Sequence, residues 1–215
     1  MKDILLYFGL KRRPFDKSLK SSQALDTDPL TECAARLEYV KGRGGMMLLS
    51  GDPGVGKTFA LRRFVDNLND NRYRTLYTPL STLRGTDILR HINRGLGLPS
   101  RATKSALFSQ IQHEVLESRE QRGKTLVFIL DEAHHLATTT LDEFLLLTNF
   151  RMDSYDPFIL IMAGQSELRR MMDYAVMEPL AQRLAMRYHM PPLDTAGTGA
   201  YVQHHMKLSG AMEPI

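Results

Sequence analysis

Short apolar runs alternate along this chain with stretches of helical spacing. The apolar runs at 46–50, 125–130 and 158–163 have the length of buried strands, and a further strand is expected at 73–78. Between and after them, apolar residues recur at helical intervals, which predicts helices at 57–69, 86–95, 103–121, 140–152 and 166–186. Buried strands that alternate with helices form a parallel sheet covered on both faces. The pattern therefore predicts an α/β fold whose ligand lies at the carboxyl ends of the strands.

The two ends of the chain follow less regular patterns. Residues 1–45 look like an N-terminal lead-in that packs on the core, with a helix beginning at Asp28-Pro29. Residues 187–190 predict a last strand, which Pro191-Pro192 closes off, so that the nucleotide-binding core spans 46–192. One amphipathic helix is expected beyond it. Because a single helix cannot bury its apolar face alone, we expect 193–215 to be the beginning of a small, incomplete helical lid.

Composition narrows the class of protein. The hydrophobic fraction is 43% and the charged fraction is 24%, as in an ordinary globular domain. No apolar run approaches the ~18 residues of a membrane span, and the N-terminus lacks the apolar segment of a signal peptide. The single cysteine, Cys33, excludes an internal disulfide and a cysteine-based metal site. We expect a cytoplasmic protein with no membrane span in this chain.

Positive charge is concentrated in two places. The chain as a whole carries a formal net charge of +4. Between Arg72 and Lys104 there are seven basic residues and one acidic residue, Asp87, which gives this stretch a net charge of +6. The first twenty residues add a second basic cluster with a net charge of +4. Such clusters are typical of proteins that contact a phosphate backbone, although charge alone is equally consistent with a solvated basic face.

The glycine-rich loop between the first strand and the following helix carries the strongest chemical signal. Residues 51–58 match G-x-x-x-x-G-K-[ST], a loop whose backbone N–H groups and helix dipole converge on phosphate. Lys57 would reach the β- and γ-phosphates, and the hydroxyl of Thr58 would bind Mg²⁺. We therefore predict that a nucleoside triphosphate is bound, and that the binding residues are Gly51, Asp52, Pro53, Gly54, Val55, Gly56, Lys57, Thr58 and Phe59.

Two carboxylates end the third predicted strand. Asp131 would hold Mg²⁺, usually through water, and Glu132 would orient and activate the attacking water. Both acids could instead be metal ligands, but no other ligand spacing supports that alternative. The pair favours an ATPase over a small-molecule kinase. Asp131-Glu132-Ala133-His134 also occurs in helicases, but the motifs that accompany it there are absent.

Two adjacent histidines follow these acids. His134 and His135 could form a metal site, but adjacent residues on a helix point in different directions. We therefore interpret them as ordinary residues at the start of a helix.

Two more polar groups would complete a hydrolytic site. Gln165 follows the strand at 158–163 and could contact the γ-phosphate or the attacking water. Arg183 lies near the end of the helix predicted at 166–186 and could act on the nucleotide of a neighbouring subunit, which in GTPases accelerates hydrolysis ~10³–10⁵-fold. Arg187 is the rival for this role. For either arginine, a plain cation at a helix C-terminus is an equally good interpretation of the spacing.

Together these motifs resemble the AAA+ ATPase family, and more closely its ExeA-type branch. The resemblance implies a sheet of strand order 5-1-4-3-2, nucleotide at subunit interfaces, Gln165 in the sensor-1 position and Arg183 as the arginine finger. The family's sensor-2 arginine has no counterpart that we can place in this sequence. The features that carry the resemblance are Phe8-Gly9-Leu10 with Pro14-Phe15, Gly51–Thr58, Asp131–His134, Ala163–Leu168, and Ala181–Leu184 leading into Arg187–Leu193.

Two functions are common in the ExeA-type branch. Membrane-anchored members energise assembly of a secretion pore in the outer membrane, whereas soluble members assist DDE-type transposases. In the helpers, the segment between the second strand and the strand that ends in the acidic pair (here 125–130, followed by Asp131-Glu132) helps to contact DNA. In this chain that segment contains the +6 stretch. We therefore expect a transposition helper, and retain a secretion ATPase and a non-hydrolysing nucleotide switch as alternatives.

The helper resemblance implies a specific set of ligands and partners. ATP and Mg²⁺ would join subunits into a ring or filament on double-stranded DNA, which would recruit a DDE transposase and come apart on hydrolysis. DNA phosphates would be contacted without sequence readout by Arg84, Arg90, Arg94, Arg101 and Lys104.

Overall fold

A five-stranded parallel sheet forms the centre of the molecule. The computed structural model describes Leu5 and residues 7–16, 19–79, 85–151 and 155–211, with only the backbone at 142 and 143. The strands lie in the order β2-β3-β4-β1-β5, and every neighbouring pair is parallel. This confirms the strand order that the AAA+ resemblance implies. The strands are β1 (Gly45–Ser50), β2 (Tyr73–Pro79), β3 (Thr125–Asp131), β4 (Phe158–Gly164) and β5 (Leu184–His189).

Burial along each strand follows its place in the sheet. The three central strands, β1, β3 and β4, are buried at every position, because helices cover both of their faces. Their sequences are accordingly almost continuous runs of Leu, Ile, Val, Met and Phe. The edge strands β2 and β5 contain exposed and half-buried positions, and more of their residues are polar.

Helices cover both faces of the sheet in three layers, so the predicted α/β fold with a parallel sheet covered on both faces is confirmed. On one face, α1 and α2 pack on the strands through residues such as Leu37 and Leu61. On the other face, α3, α4 and α5 contribute Ile88, Ile111 and Phe144. The helices are α1 (Asp28–Arg43), α2 (Lys57–Asp66), α3 (Thr86–Gly95), α4 (Lys104–Glu120), α5 (Thr138–Leu147), α6 (Ser166–Met171), α7 (Glu178–Gln182) and α8 (Thr195–Leu208).

The prediction of one long helix at 166–186 is wrong. The segment contains the two short helices α6 and α7 with a 3₁₀ turn at Ala175–Met177 between them, and β5 already begins at Leu184. Pro179 accounts for the break, since proline lacks an N–H and is tolerated only in the first turn of a helix, where it lies in α7. The last strand therefore starts three residues before the predicted 187.

The N-terminal lead-in and the last helix meet on one side of the core. The backbone N–H of Lys11 donates to the carbonyl of Ser209 at 2.8 Å, and Arg12 Nε donates to the carbonyl of Leu208 at 3.0 Å. The ring of Phe15 stacks on His205 with 4.9 Å between ring centroids. Among the described residues, no helix combines the length and the apolar character needed to cross a membrane.

Candidate active site

The parallel register brings the predicted site residues to one edge of the sheet. Ser50, the last residue of β1, is paired with Gly164 at the end of β4. Leu130 in β3 is paired with Met162 in β4. Because these strands end side by side, the phosphate loop, the Asp131-Glu132 pair and Gln165 all follow the carboxyl ends of neighbouring strands. This is the edge at which parallel α/β sheets bind their ligands.

The phosphate loop connects β1 directly to α2. Gly54 and Gly56 have φ angles of +84° and +102°, a left-handed conformation that glycine adopts without strain. At Gly51 a Cβ atom would lie 2.6 Å from the carbonyl oxygen of Met190, so a larger residue would collide with the backbone after β5. These glycines shape the turn and allow α2 to begin at Lys57 with its N-terminus facing the loop.

Lys57 lies beneath this loop and is 6% exposed. Its Nζ donates to the carbonyl oxygens of Gly51 at 2.8 Å and Asp52 at 2.9 Å, which fixes the side chain along the loop. Burial lowers the pKa of the Lys57 ammonium, and the nearby carboxylates act in the opposite direction. An ammonium that uses two of its three N–H donors on the loop itself is already positioned for an anion bound there.

Asp131 accepts hydrogen bonds from two hydroxyl groups. Its Oδ2 accepts from Thr58 Oγ1 and from the hydroxyl of Tyr77, both at 2.8 Å. Asp131 is buried, with only 2% of its surface exposed. Oδ1 accepts from the backbone N–H of Glu132 at 3.0 Å. A carboxylate beside a hydroxyl supplies the oxygen ligands that Mg²⁺ prefers, so Thr58 and Asp131 fit this ion.

Tyr77 is a site residue that sequence reasoning missed. It lies near the carboxyl end of β2, in register with Ile129 of the neighbouring strand. Burial raises the pKa of its hydroxyl, and the hydrogen bond to Asp131 adds to the effect. The signal available in the sequence was a hydroxyl residue near the end of a predicted strand. Only the order of the strands shows that this end lies beside Asp131.

Glu132 stands in an unusual backbone conformation beside His134. Its φ of +59° places a non-glycine residue in the left-handed region, directly before a 3₁₀ turn at Ala133–His135. The carboxylate oxygen Oε2 lies 3.4 Å from Nδ1 of His134, and the Glu132 side chain is 42% exposed. A partly exposed carboxylate at this edge of the sheet can contact water.

His134 also connects Glu132 to Gln165. Its Nδ1 accepts a hydrogen bond from the backbone N–H of Gln165 at 3.3 Å. Burial is the main cause that lowers the pKa of His134, and His135 lowers it further. The imidazole is therefore neutral near pH 7, with its proton on Nε2. The predicted base and the predicted sensor residue thus flank one neutral ring.

The two adjacent histidines do not diverge as predicted. In the short 3₁₀ turn, the ring centroids of His134 and His135 lie 4.1 Å apart, tilted by 37°. The argument that adjacent helical residues point apart is wrong here, because the helical conformation lasts only one turn and Leu136 is already extended.

Both candidate arginines lie away from the phosphate loop of their own chain. Leu184 is paired with Met46, so Arg183 stands at the amino edge of the sheet, roughly 16 Å along β1 from Gly51. Arg183 Nη1 donates to Thr148 Oγ1 at 2.9 Å. Arg187 is exposed in the middle of β5, and its Nη2 donates to the carbonyl of Ala181 at 2.7 Å. Arg183 therefore lies at the edge of the sheet opposite the phosphate loop of its own chain.

The basic stretch is partly neutralised in the folded chain. Arg90 pairs with Asp87 at 2.8 Å, and Arg74 lies 3.6 Å from the buried carboxylate of Glu114. Three more cations predicted to contact DNA are exposed, namely Arg94 in the last turn of α3, Arg101 in the following loop and Lys104 at the start of α4. Arg84 lies outside the described residues.

A cavity of about 530 Å³ adjoins the phosphate loop. Gly54, Gly56 and Phe59 line it on the loop side. The opposite walls come from Pro29 at the start of α1 and from Tyr201 and His205 of α8. No sequence motif predicts this cavity, because its walls come from distant parts of the chain that packing brings together.

Comparison with known proteins identifies the family. The AAA domain family matches residues 40–172, more than half of the chain. The chain therefore belongs to this family, whose members are AAA+ P-loop NTPases that bind nucleotide.

One curated relative matches nearly the whole chain. General secretion pathway protein A of Aeromonas hydrophila is 32% identical over 213 residues, which are 97% of this chain and 38% of the relative. The chain thus spans less than half the length of that relative. The match confirms the resemblance to the ExeA-type branch.

Solved structures agree on the fold. The Aeropyrum pernix ORC2 protein in ADPNP-ADP complexes has a TM-score of 0.67 at 16% identity, over 92% of this chain and 56% of its own. The Aeropyrum pernix ORC1 protein in complex with DNA has a TM-score of 0.62 at 14% identity, over 92% of this chain and 50% of its own. At these identities the likeness shows the AAA+ fold alone.

Proposed function

We propose that this chain is a Mg²⁺-dependent ATPase whose ATP-bound oligomers assemble on double-stranded DNA and assist a DDE-type transposase. The observation that carries the ATPase is the convergence of Lys57, Thr58, Asp131 and Glu132 at one sheet edge, with Thr58 and Asp131 joined by a 2.8 Å hydrogen bond. Asp131 is buried, whereas Glu132 is partly exposed to water. This difference in exposure supports Asp131 as the acid that binds the ion and Glu132 as the acid that activates water.

The residues of the loop divide the work on the triphosphate. Backbone N–H groups of 51–58 and the Lys57 ammonium bind the phosphate oxygens, while Phe59 at the start of α2 lines the adjoining cavity. Mg²⁺ held by Thr58 and Asp131 would neutralise charge on the phosphates. Glu132 takes a proton from the attacking water, and Gln165 orients that water or the γ-phosphate.

The nucleoside would occupy the cavity beside the loop. A volume of about 530 Å³ lies within the range of small-molecule sites, and its walls are largely apolar side chains. On this proposal the lead-in of residues 1–45 and the beginning of a lid at 193–215 contribute to the ATP site, since Pro29 and Tyr201 both line the cavity. Residues 46–192 provide the catalytic core.

Arg183 would complete the site of a neighbouring subunit. Its position at the amino edge of the sheet separates it from its own nucleotide, as required of a group that acts in trans. When subunits that lack Lys57 are mixed with subunits that lack Arg183, some interfaces combine an intact loop with an intact arginine. Such mixtures of Lys57→Ala and Arg183→Ala should recover activity that neither variant has alone. The same mixture made with Arg187→Ala tests the rival arginine, and the absence of recovery with either would refute a shared site.

DNA binding is proposed from the exposed cations of α3 and α4. Arg94, Arg101 and Lys104 are exposed within 11 residues of one another, and each oligomer would repeat them many times. Contacts of this kind track phosphates without sequence readout and weaken steeply with salt. The helper role in transposition rests on the resemblance to that branch and on this surface.

Gel-shift titrations with no nucleotide, ADP or a slowly hydrolysed ATP analogue test the DNA proposal. We expect binding only with the analogue, and a loss of at least 10-fold in affinity between low and moderate salt. The double variant Arg94→Glu/Arg101→Glu should weaken binding, whereas Arg43→Glu on α1, on the other face of the sheet, should not. DNA binding that ignores both nucleotide and salt would sink the proposal. A DDE-type transposase encoded in the neighbouring reading frame would support the helper role.

The second candidate is a role in secretion. It is favoured by the 32% identity to General secretion pathway protein A of Aeromonas hydrophila, which covers nearly the whole of this chain. A secretion ATPase would hydrolyse ATP with the same residues but would show no ATP-dependent DNA binding. Nucleotide binding without any turnover, with or without DNA, would instead indicate a nucleotide switch.

A further inference from the structure

Glu132, His134 and His135 form a cluster whose chemistry differs from that of the Mg²⁺ site. One carboxylate oxygen of Glu132 and one ring nitrogen of each histidine all lie within 4.8 Å of one another. The cluster is built by the left-handed backbone at Glu132 and the one-turn 3₁₀ helix that follows. Imidazole nitrogens with a carboxylate suit Zn²⁺ and similar transition metals, whereas Mg²⁺ selects oxygen ligands.

The distance between two of the three ligand atoms already fits a tetrahedral ion. Ligand atoms ~2.0–2.1 Å from Zn²⁺ lie about 3.3–3.4 Å from one another in a tetrahedron. Glu132 Oε2 and His134 Nδ1 are already 3.4 Å apart. His135 is exposed, and the ring nitrogen that it offers lies within 4.8 Å of the ligand atoms of Glu132 and His134.

We propose that Glu132, His134 and His135 bind a transition-metal ion of the Zn²⁺ class, and that this ion inhibits ATP hydrolysis. A metal bound to Oε2 of Glu132 removes that carboxylate from the attacking water. A metal on His134 Nδ1 also displaces the hydrogen bond from the N–H of Gln165. Lys57 and the loop belong to neither change, so ATP stays bound.

The metal site stands independently of the ATPase proposal, whereas its inhibitory effect rests on it. Zinc binding would hold the protein in its ATP-bound state, the same state that removal of the Glu132 carboxylate would produce. If that state is the assembled oligomer, the ion would block disassembly. The fourth coordination position would be left to water, as in zinc sites with three protein ligands.

Binding is tested on the nucleotide-free protein with Co²⁺ as a spectroscopic substitute. Tetrahedral Co²⁺ gives intense visible absorption, which Zn²⁺ should abolish by competition. His135→Asn should weaken binding at least 10–100-fold, the loss measured when even outer-shell groups of metal sites are removed. His113→Asn is the matched control, because that ring is 80% exposed on α4 and lies outside the cluster. If His135→Asn binds Co²⁺ and Zn²⁺ as tightly as the wild type does, the proposed site is refuted.

Inhibition is tested by steady-state turnover with Mg²⁺ in excess and free Zn²⁺ held by a metal buffer. We expect the wild type and His113→Asn to lose turnover at free Zn²⁺ near the measured Kd while binding ATP normally. His135→Asn should turn over at the normal rate and require 10–100-fold more Zn²⁺ for the same loss. A zinc-loaded protein that hydrolyses ATP at full rate would refute the inhibition and leave the site standing. Absence of turnover without zinc would refute the ATPase proposal, and the Co²⁺ titration would still decide the site.

Discussion

The proposed ATP site has two ends that are built in different ways. The phosphate end, Gly51–Thr58 with Asp131, is one continuous loop plus one strand terminus, and its key side chains are buried and hydrogen bonded. The nucleoside end consists of Phe15, Pro29, Tyr201 and His205, which are separated by up to 190 positions in the sequence. Its aromatic rings are partly exposed, at 47% for Phe15 and 38% for Tyr201. The comparison suggests that the phosphate end supplies most of the binding energy and the chemistry, and the nucleoside end supplies selectivity for the base.

Lys57→Ala should produce the largest loss of ATP affinity, because it removes the charge at the phosphate end. Hydrogen bonds to charged groups contribute about 1.5–3 kcal/mol each, so the loss of the phosphate contact that the third N–H donor can make predicts a roughly 10–10²-fold rise in the Kd for ATP. Tripolyphosphate, which has no nucleoside, should lose the same factor when both are measured by calorimetry. Lys41→Ala on α1 is the control. A variant that loses ATP but keeps tripolyphosphate would contradict the assignment of Lys57.

Glu132→Gln separates binding from chemistry within the phosphate end. A general base contributes ~10²–10⁴-fold to rate, so turnover should fall by about that factor. The amide retains the size of the side chain, and Lys57 and Asp131 stay in place, so the Kd for ATP should change less than about 3-fold. ATP-bound oligomers should accumulate, measurable by light scattering. Undiminished turnover would exclude Glu132 as the base.

Tyr201→Ala probes the nucleoside end. Aromatic contacts are worth about 0.5–1.5 kcal/mol beyond burial, so the Kd for ATP should rise roughly 2–10-fold. The Kd for tripolyphosphate should stay unchanged, which distinguishes this variant from Lys57→Ala. Tyr39→Ala, at another partly exposed tyrosine on α1, is the control. Equal loss of ATP and tripolyphosphate would mean that Tyr201 supports the loop rather than the base.

The same division explains what the sequence could predict. Gly51–Thr58 is contiguous, and the chemistry of phosphate binding requires those residue types at that spacing, so the loop is visible without a structure. Asp131 is visible because a carboxylate pair ends an apolar run. Tyr77 is invisible, since its contact with Asp131 depends on β2 lying beside β3. The His134–His135 contact was missed because it depends on a 3₁₀ turn that ends after one turn.

Acid sensitivity provides the finest test of the nucleoside end. Burial lowers the pKa of His205, and His204 lowers it further. A histidine whose folded pKa is below its unfolded value of ~6.5 binds fewer protons when folded, so the free energy of unfolding falls as the pH drops below that value. His205→Phe keeps an aromatic ring against Phe15 and Tyr201 but cannot bind a proton. Between pH 7.5 and 5.5 its Tm should fall less than that of the wild type, by about 1–3 °C. The control is His113→Asn, at an exposed histidine, whose Tm should follow that of the wild type. Parallel Tm curves for His205→Phe and the wild type would show that proton binding at His205 does not weaken the contact between the lead-in and α8.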